Sequence, residues 1–410
     1  MKKYSFDQLY LHVGQHKTGT SALQKFLQIN EKVLSQYGIL YPKEGRNLSG
    51  AHHRFFMPTQ IPSNIYSLEN NVDMLIQKER DEKIVLMSTE SLSKVRDLSN
   101  LQVLRRVAAK IKIIIYLRRQ DTYFESAYSQ MVKKEHTGDI RDLIRKGAVN
   151  YRKICEHWAS FFGKENIIVK PYECQQFVNH DLFADFLSIF GIDKISEFTI
   201  PQSNHNPSLS AEAIYFKRLL NQLEIDKRTK SKTQKPLTEF SVMKSKEKKS
   251  REYTLLSPSE KKALLERYAE SNAWVALEYL NRPNQPLFYA PLPKADDEWA
   301  PLAEMTEKTI TEIAHYIANK TPDLFNTIKQ GVQNGINATN ENVRHAAQQL
   351  KPILSIKEKK PPYVIQLSRL SKQSVEQFKR IGHTFADKTV FNILEPVKSV
   401  QRFIYLQKNR

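Results

Sequence analysis

The sequence predicts an α/β fold, a wound parallel sheet followed by a mainly helical C-terminal extension. Three observations carry that expectation. "KIVLMST" at 83–89, "KIKIIIYL" at 110–117 and "NIIVKPYE" at 166–173 are short β-rich apolar runs that read as strands buried on both faces. Helical patterns lie between them, as a wound sheet requires. After about residue 200 the strand signals give way to helical periodicity.

The elements follow in order. Residues 8–14, "QLYLHVG", make the first strand and end on Gly14. A single helix is expected from Ser21 to Gln36, where Leu23, Phe26, Leu27, Val33 and Leu34 form an apolar stripe and Gly38 supplies a stop. Further helices are expected at Tyr123–Lys134, Arg152–Phe162 and Asp181–Phe190. Residues 227–251 are crowded with Lys and Arg, have few apolar side chains, and read as a mobile basic insertion. A helical pattern resumes over 257–280, with Ser257 as cap and Pro258 in the first turn. Proline-spaced chain at 283–293 leads into a helical tail from about 303, which "EKKPP" at 358–362 interrupts. Two units are therefore expected: an α/β domain over 1–289, including the basic insertion, and a helical extension over 290–410.

With 410 residues the chain is long enough for two or more cores. No run approaches the roughly 18 apolar residues of a membrane span. "MKKYSFDQLYLHV" lacks the continuous apolar stretch of a signal peptide. The two cysteines, Cys155 and Cys174, have no motif around them and suit a reducing compartment. A cytoplasmic protein is expected, peripheral to the inner membrane at most. The net charge of +19 and pI near 9.6 favour anionic partners without saying which.

The first strand runs into "LHVGQHKTGTSALQKFL", Leu11 to Leu27. Gly14 and Gly19 have the separation of the glycines in G-x-x-x-x-G-K-[ST]. That pattern wants Lys at position 20, where this chain has Thr20 and then Ser21; its lysine, Lys17, lies inside the loop. Between a strand end and a helix start, backbone N–H groups and the helix dipole favour an anion. The glycines permit close backbone approach, the hydroxyls bind oxygens, and Lys17 adds a compact charge.

"KTGTSALQKFL" resembles the cofactor-binding loop of the PAPS-dependent sulfotransferases, in which Lys precedes Thr/Ser-Gly-Thr. A second element is similar: the family follows a strand with Arg and, eight positions later, Ser. Here "IIIYLRRQDTYFESAYSQ" supplies Arg118 and Ser126, with Arg119 as the alternative arginine. "NIIVKPYE", the helix ending "FLSIFGI", "YGILYP" with "GAHHRFF", and "SNHNPSLS" with "YAESNAWVALEYL" look like bacterial, carbohydrate-type members. Together these cover roughly residues 8–289; from 290 onward nothing is recognised. The resemblance implies a P-loop-like three-layer fold and 3′-phosphoadenosine-5′-phosphosulfate (PAPS) as donor, with 3′,5′-ADP as product. Lys17, Thr18, Gly19, Thr20 and Ser21 would then bind the donor, and Arg118 and Ser126 its 3′-phosphate. The acceptor would be a hydroxyl, less readily an amine, of a carbohydrate, glycolipid or small molecule, anionic if 227–251 attracts it.

Two other classes stay open. A nucleotide-dependent kinase or NTPase shares the fold logic, but position 20 is Thr and no Asp-terminated strand for Mg²⁺ stands out. A basic protein of nucleic-acid or membrane surfaces could use 227–251, which has charge but no interleaved aromatic platform, so no specific nucleic acid is expected. No metal site is expected, since His52 and His53 are adjacent and no Cys/His spacing completes a ligand set. The proton of an acceptor hydroxyl needs a base. Glu90 directly follows the strand "KIVLMST", where open α/β sheets place their sites, and His52 lies in the segment after the first helix. Either fits, with His53 behind them; Glu90 could instead hold Lys17 or orient His52.

Overall fold

The computed structural model describes residues 5–56, 67–78, 80–147, 149–201, 209–246, 253–294, 296–297, 299–301 and 307–356. At its centre is a five-stranded, all-parallel sheet of β1 (Phe6–His12), β2 (Ile39–Leu40), β3 (Ile84–Ser88), β4 (Ala108–Leu117) and β5 (Ile167–Pro171), in the order β2-β3-β1-β4-β5. The register sets Leu11 beside Met87 on one side and Ile113 on the other. Because strand side chains alternate in direction, Leu9, Leu11, Val85, Met87, Ile113 and Ile115 enter one apolar core. Tyr10, Leu86, Ile114 and Tyr116 enter the other.

Helices cover both faces, which gives three layers. Phe26 and Leu27 of α1 (Thr20–Ile29) and Phe186 of the helix Leu182–Ser188 fill one core. Phe124 and Tyr128 of the helix Gln120–Lys133, with Trp158 of the helix Tyr151–Phe162, fill the other. The fold is therefore α/β with a central parallel sheet and a helical C-terminal part.

The helix expected from Ser21 to Gln36 is two helices, α1 and Glu31–Gln36. They part at Asn30, whose side chain donates to the Phe26 and Thr199 carbonyls and accepts from the Thr199 N–H, each at 2.8 Å. The pattern over 257–280 likewise divides at Tyr268 into Pro258–Arg267 and Ala269–Leu280.

The basic segment is not a mobile insertion over 227–246. It forms helices Lys227–Lys232 and Gln234–Ser245, and Leu237 and Phe240 are fully buried. The lysines occupy the outer side, while Leu237 and Phe240, three apart, face inward. They share one apolar core with Leu219 and Leu223, and with Ile313, Ile317, Phe325 and Val332 of helices Glu307–Lys320 and Pro322–Gly335. Lys244 Nζ also pairs with Glu312 Oε1 at 2.5 Å. Residues 203–208, 247–251 and "EKKPP" at 358–362 lie outside the described residues. Among the described residues no helix is long and apolar enough to cross a membrane.

Candidate functional site

The carboxyl ends of β1, β3, β4 and β5 converge at one edge of the sheet, where such folds place their sites. β1 is followed by the loop Val13–Gly19, β3 by Thr89 and Glu90, β4 by Arg118, and β5 by Tyr172. The loop stays pinned to the sheet: Gln15 N–H donates to Tyr116 O at 3.0 Å, Tyr116 N–H to Gly14 O at 2.7 Å, and Thr89 N–H to His12 O at 2.9 Å. Buried Thr18 closes it from within, Oγ1 donating to Gln15 O at 2.6 Å.

Gly14 has φ +97°, and a Cβ there would lie 3.2 Å from Glu90 Cβ, so both its backbone angle and the closeness of Glu90 require glycine. Gly19 is the N-cap of α1 with φ +73°, and a Cβ on it would strike Leu182 and crowd Tyr172. Gly19 has no side chain to cap with, so it takes up none of the first-turn N–H groups, those of Thr20 and Ser21 included. Thr20 is buried and Ser21 exposed.

Lys17 sits in this loop in the left-handed region, φ 68°. Its Nζ donates to Gln130 Oε1 at 3.1 Å. Burial lowers its pKa first, followed by the Lys133, Arg118 and Lys134 charges, with Glu90 acting in the opposite direction. Arg118 donates through Nη1 to the Lys17 carbonyl at 2.9 Å and through Nε to Thr122 Oγ1 at 3.1 Å, and it lies over the Tyr172 ring. The Tyr151 hydroxyl donates to the Arg118 carbonyl. Neither Lys17 nor Arg118 is bonded to a carboxylate among the described residues. Ser126 is half-buried on the helix Gln120–Lys133, four residues after Thr122 and four before Gln130. That spacing puts all three on one helix face, so Ser126 lies between the anchor of Arg118 and the anchor of Lys17. Arg119 is committed elsewhere, forked onto Asp121 and donating to the Ala290 and Pro291 carbonyls.

Glu90 accepts from Gln24 Nε2 at 2.7 Å, and its Oε1 lies 3.7 Å from His53 Nε2. Burial raises its pKa, but the Gln24 bond, its own backbone N–H and the charges of His53 and His16 outweigh that and leave it lowered. His53 Nδ1 bonds Thr89 Oγ1 at 3.1 Å.

His52 does not fit the role of base. Its ring is fully buried, Nδ1 accepting from Ser88 N–H at 3.2 Å and Nε2 donating to Pro42 O at 2.9 Å. With both nitrogens committed to backbone, and with burial holding its pKa at about 4, it positions the end of β3 instead. The two histidines do point different ways, and it is His53 that reaches Glu90.

Sequence reasoning missed three residues of this constellation. Gln24 and Gln130 hold Glu90 and Lys17. Their signals were a buried polar residue inside the apolar stripe of α1 and the helical spacing from Ser126. His16, inside the loop, has its pKa lowered by burial, with Glu90 raising it and Lys94, Lys17 and His53 lowering it further. Among the described residues no group of His, Cys, Asp or Glu side chains gathers in a way that could hold a metal ion. Cys155 is buried, its thiol pushed up to about 12 by burial, and Cys174 is exposed.

No protein-family model matches the chain. A protein of Archaeoglobus fulgidus described as uncharacterized is 30% identical over 182 residues, which are 42% of this chain and 47% of the relative. The chain thus spans about half the length of the relative it matches. Among solved structures, the crystal structure of a sulfotransferase from Alicyclobacillus acidocaldarius is similar over 45% of this chain and 80% of its own, at 20% identity and a TM-score of 0.31.

Proposed function

We propose that the chain is a sulfotransferase that moves a sulfuryl group from PAPS to a hydroxyl, less readily an amine, of a carbohydrate or glycolipid. The observation that carries the reading is the meeting of Lys17 and Arg118, neither bonded to a carboxylate, at the uncapped N-terminus of α1 with Glu90 across Gly14. An anion with several oxygens fits such a cradle. The sequence likeness of "KTGTSALQKFL" and of Arg118 with Ser126 to the sulfotransferase motifs supports PAPS as that anion.

PAPS would supply the sulfuryl group. The N–H groups of the loop and of Thr20 and Ser21 would hold its 5′-phosphate end. Arg118 and Ser126 would hold the 3′-phosphate. Lys17 offers a cation where negative charge builds on the leaving oxygen. Glu90, its pKa lowered and its carboxylate fixed by Gln24, would accept the acceptor's proton, with His53 facing its other oxygen.

The test is a melting series on dialysed protein with 3′,5′-ADP, 5′-AMP and MgATP, together with turnover of labelled PAPS against fractionated extracts of the source cell. Stabilisation by 3′,5′-ADP well beyond 5′-AMP, with label transferred, is expected. Stabilisation by MgATP alone would move the protein to the kinase or NTPase class.

A further inference from the structure

The sheet face beneath α1 carries two fully buried polar side chains at its site end, His12 and Ser88. They lie two residues on from Tyr10 and Leu86 along β1 and β3, so they face the same layer, and the register sets them side by side. His12 Nδ1 lies 2.9 Å from Ser88 Oγ. Gln24 Nε2 of α1 donates to Ser88 Oγ at 3.3 Å, and the same nitrogen donates to Glu90 Oε2 at 2.7 Å. Four side chains thus link the buried sheet to the candidate base.

The hydrogens give that link a direction. An ionised carboxylate only accepts, so Gln24 turns its nitrogen to Glu90 and has one hydrogen for it and one for Ser88. Ser88 Oγ, accepting from Gln24, gives its own hydrogen to His12 Nδ1. The His12 hydrogen then sits on Nε2, which has no hydrogen-bond partner among the described residues, the ring being met edge-on by Tyr116 and Phe186. The opposite tautomer would leave both the Ser88 hydrogen and the Nε2 lone pair unplaced. Burial keeps the imidazole neutral, its pKa at about 4, so Nδ1 stays an acceptor. A Gln24 amide turned over would set Oε1 against the Glu90 carboxylate and draw the Ser88 hydrogen away from His12. A buried imidazole with one hydrogen bond contributes less to stability than an apolar side chain of its size, so packing alone does not account for it. We infer that Ser88 and His12 are positioning residues of the site, acting through Gln24 to hold the Glu90 carboxylate in one orientation with Oε1 on the His53 side. The inference rests on the sulfotransferase reading for what Glu90 does, though not for how it is held.

The experiment follows the Glu90 carboxyl by carbon NMR in protein labelled at the glutamate side-chain carboxyl, its signal identified by its loss in Glu90→Gln. Ser88→Ala and His12→Leu should each raise the Glu90 pKa, because Gln24 is freed to turn and its bond to the carboxylate weakens. His12→Asn, whose Oδ1 can stand where Nδ1 stood, should restore the parent titration. Neither Ser88→Ala nor His12→Leu should add anything to Gln24→Leu, since the effect runs through that amide. His53 and His16, whose charges also act on Glu90, stay in place in all of these variants. In turnover, Ser88→Ala should lower kcat by roughly 10-fold and leave 3′,5′-ADP affinity unchanged. A Glu90 titration unmoved in Ser88→Ala, or moved as far in the Gln24→Leu background as in the parent, would overturn the inference, whether or not His12→Leu folds. Absence of PAPS turnover in the parent would instead sink the sulfotransferase reading, and the carboxyl titration would still decide how Glu90 is held.

Discussion

Arg118 donates to the carbonyl oxygen of Lys17 at 2.9 Å, so the two cations of the site share one frame. The guanidinium fixes the left-handed residue of the loop, and the ammonium is braced in turn by Gln130. A cation fixed before the reaction needs no reorganisation as charge develops, which is the condition for stabilising the transition state more than the ground state. Lys17→Ala should therefore lower kcat by about 10²–10³-fold while changing 3′,5′-ADP affinity far less. Paired turnover and calorimetric titration check this, and a near-normal kcat would refute the role given to Lys17.

Arg118→Ala should act mainly on binding. A charge-assisted bond is worth about 1.5–3 kcal/mol, so the preference for 3′,5′-ADP over 5′-AMP should fall by roughly 10–100-fold. Some loss of kcat should accompany it through the slackened Lys17 carbonyl. Arg119→Ala should leave the nucleotide preference intact and lower Tm instead, because its partners are Asp121 and the chain at Ala290 and Pro291. An unchanged preference in Arg118→Ala would send the 3′-phosphate role elsewhere.

The helices of 227–246 give a stability prediction. Leu237 is fully buried in the core that joins them to the C-terminal helices. Leu237→Ala should cost about 2–5 kcal/mol, read as a lower denaturant midpoint. A cost within about 0.5 kcal/mol, as at a solvated loop, would contradict the packing described. Lys232→Ala, on the outer side, serves as the control.

How much of this was legible in the sequence depended on the range of the deciding interaction. β1, β3, β4 and β5 were readable because strands buried on both faces need continuous apolar runs. The short β2 was not, since two residues carry no period. Asn30 divides the first helix through a bond to Thr199, a partner so distant in sequence that no local pattern announces it. In 227–246 the abundance of lysines hid the Leu237–Phe240 pair. The loop, Glu90 and Arg118 were legible because each ends a strand at one edge of the sheet. Which of His52 and His53 would face Glu90 was not, because it turns on the backbone of Ser88 and Pro42.

Two buried histidines make stability depend on pH. Burial holds His12 and His52 at about 4 in the folded protein, against 6.5 for an imidazole in water. Below 6.5 the unfolded chain binds protons that the folded chain refuses, so stability is full above that pH and falls as pH drops toward 4. Each histidine can contribute up to roughly 3 kcal/mol over this window. Denaturant midpoints across pH 4–7 should show the loss, and His52→Gln, which keeps a donor for Pro42, should make it shallower. An identical slope in that variant would exclude His52 as a cause.

The remaining prediction concerns the proton acceptor. Glu90 is held at one oxygen by Gln24, at 2.7 Å, and faced at the other by His53. Its net pKa is lowered, so it is ionised and ready to accept at neutral pH. Activity should therefore be flat through neutrality and fall only below the usual carboxylate range, measured in assays short enough to precede acid unfolding. Glu90→Gln should keep 3′,5′-ADP binding and lose about 10²–10⁴-fold in kcat. Gln24→Leu should lose less, because it frees the carboxylate without removing it, and His53→Ala should likewise lose only part of kcat. His52→Ala should cost stability, with kcat nearly preserved at temperatures where it stays folded. If Glu90→Gln keeps parent activity while His53→Ala abolishes it, and the acidic limb of the parent falls in the ordinary imidazole range, the base is His53 and Glu90 is the residue that orients it.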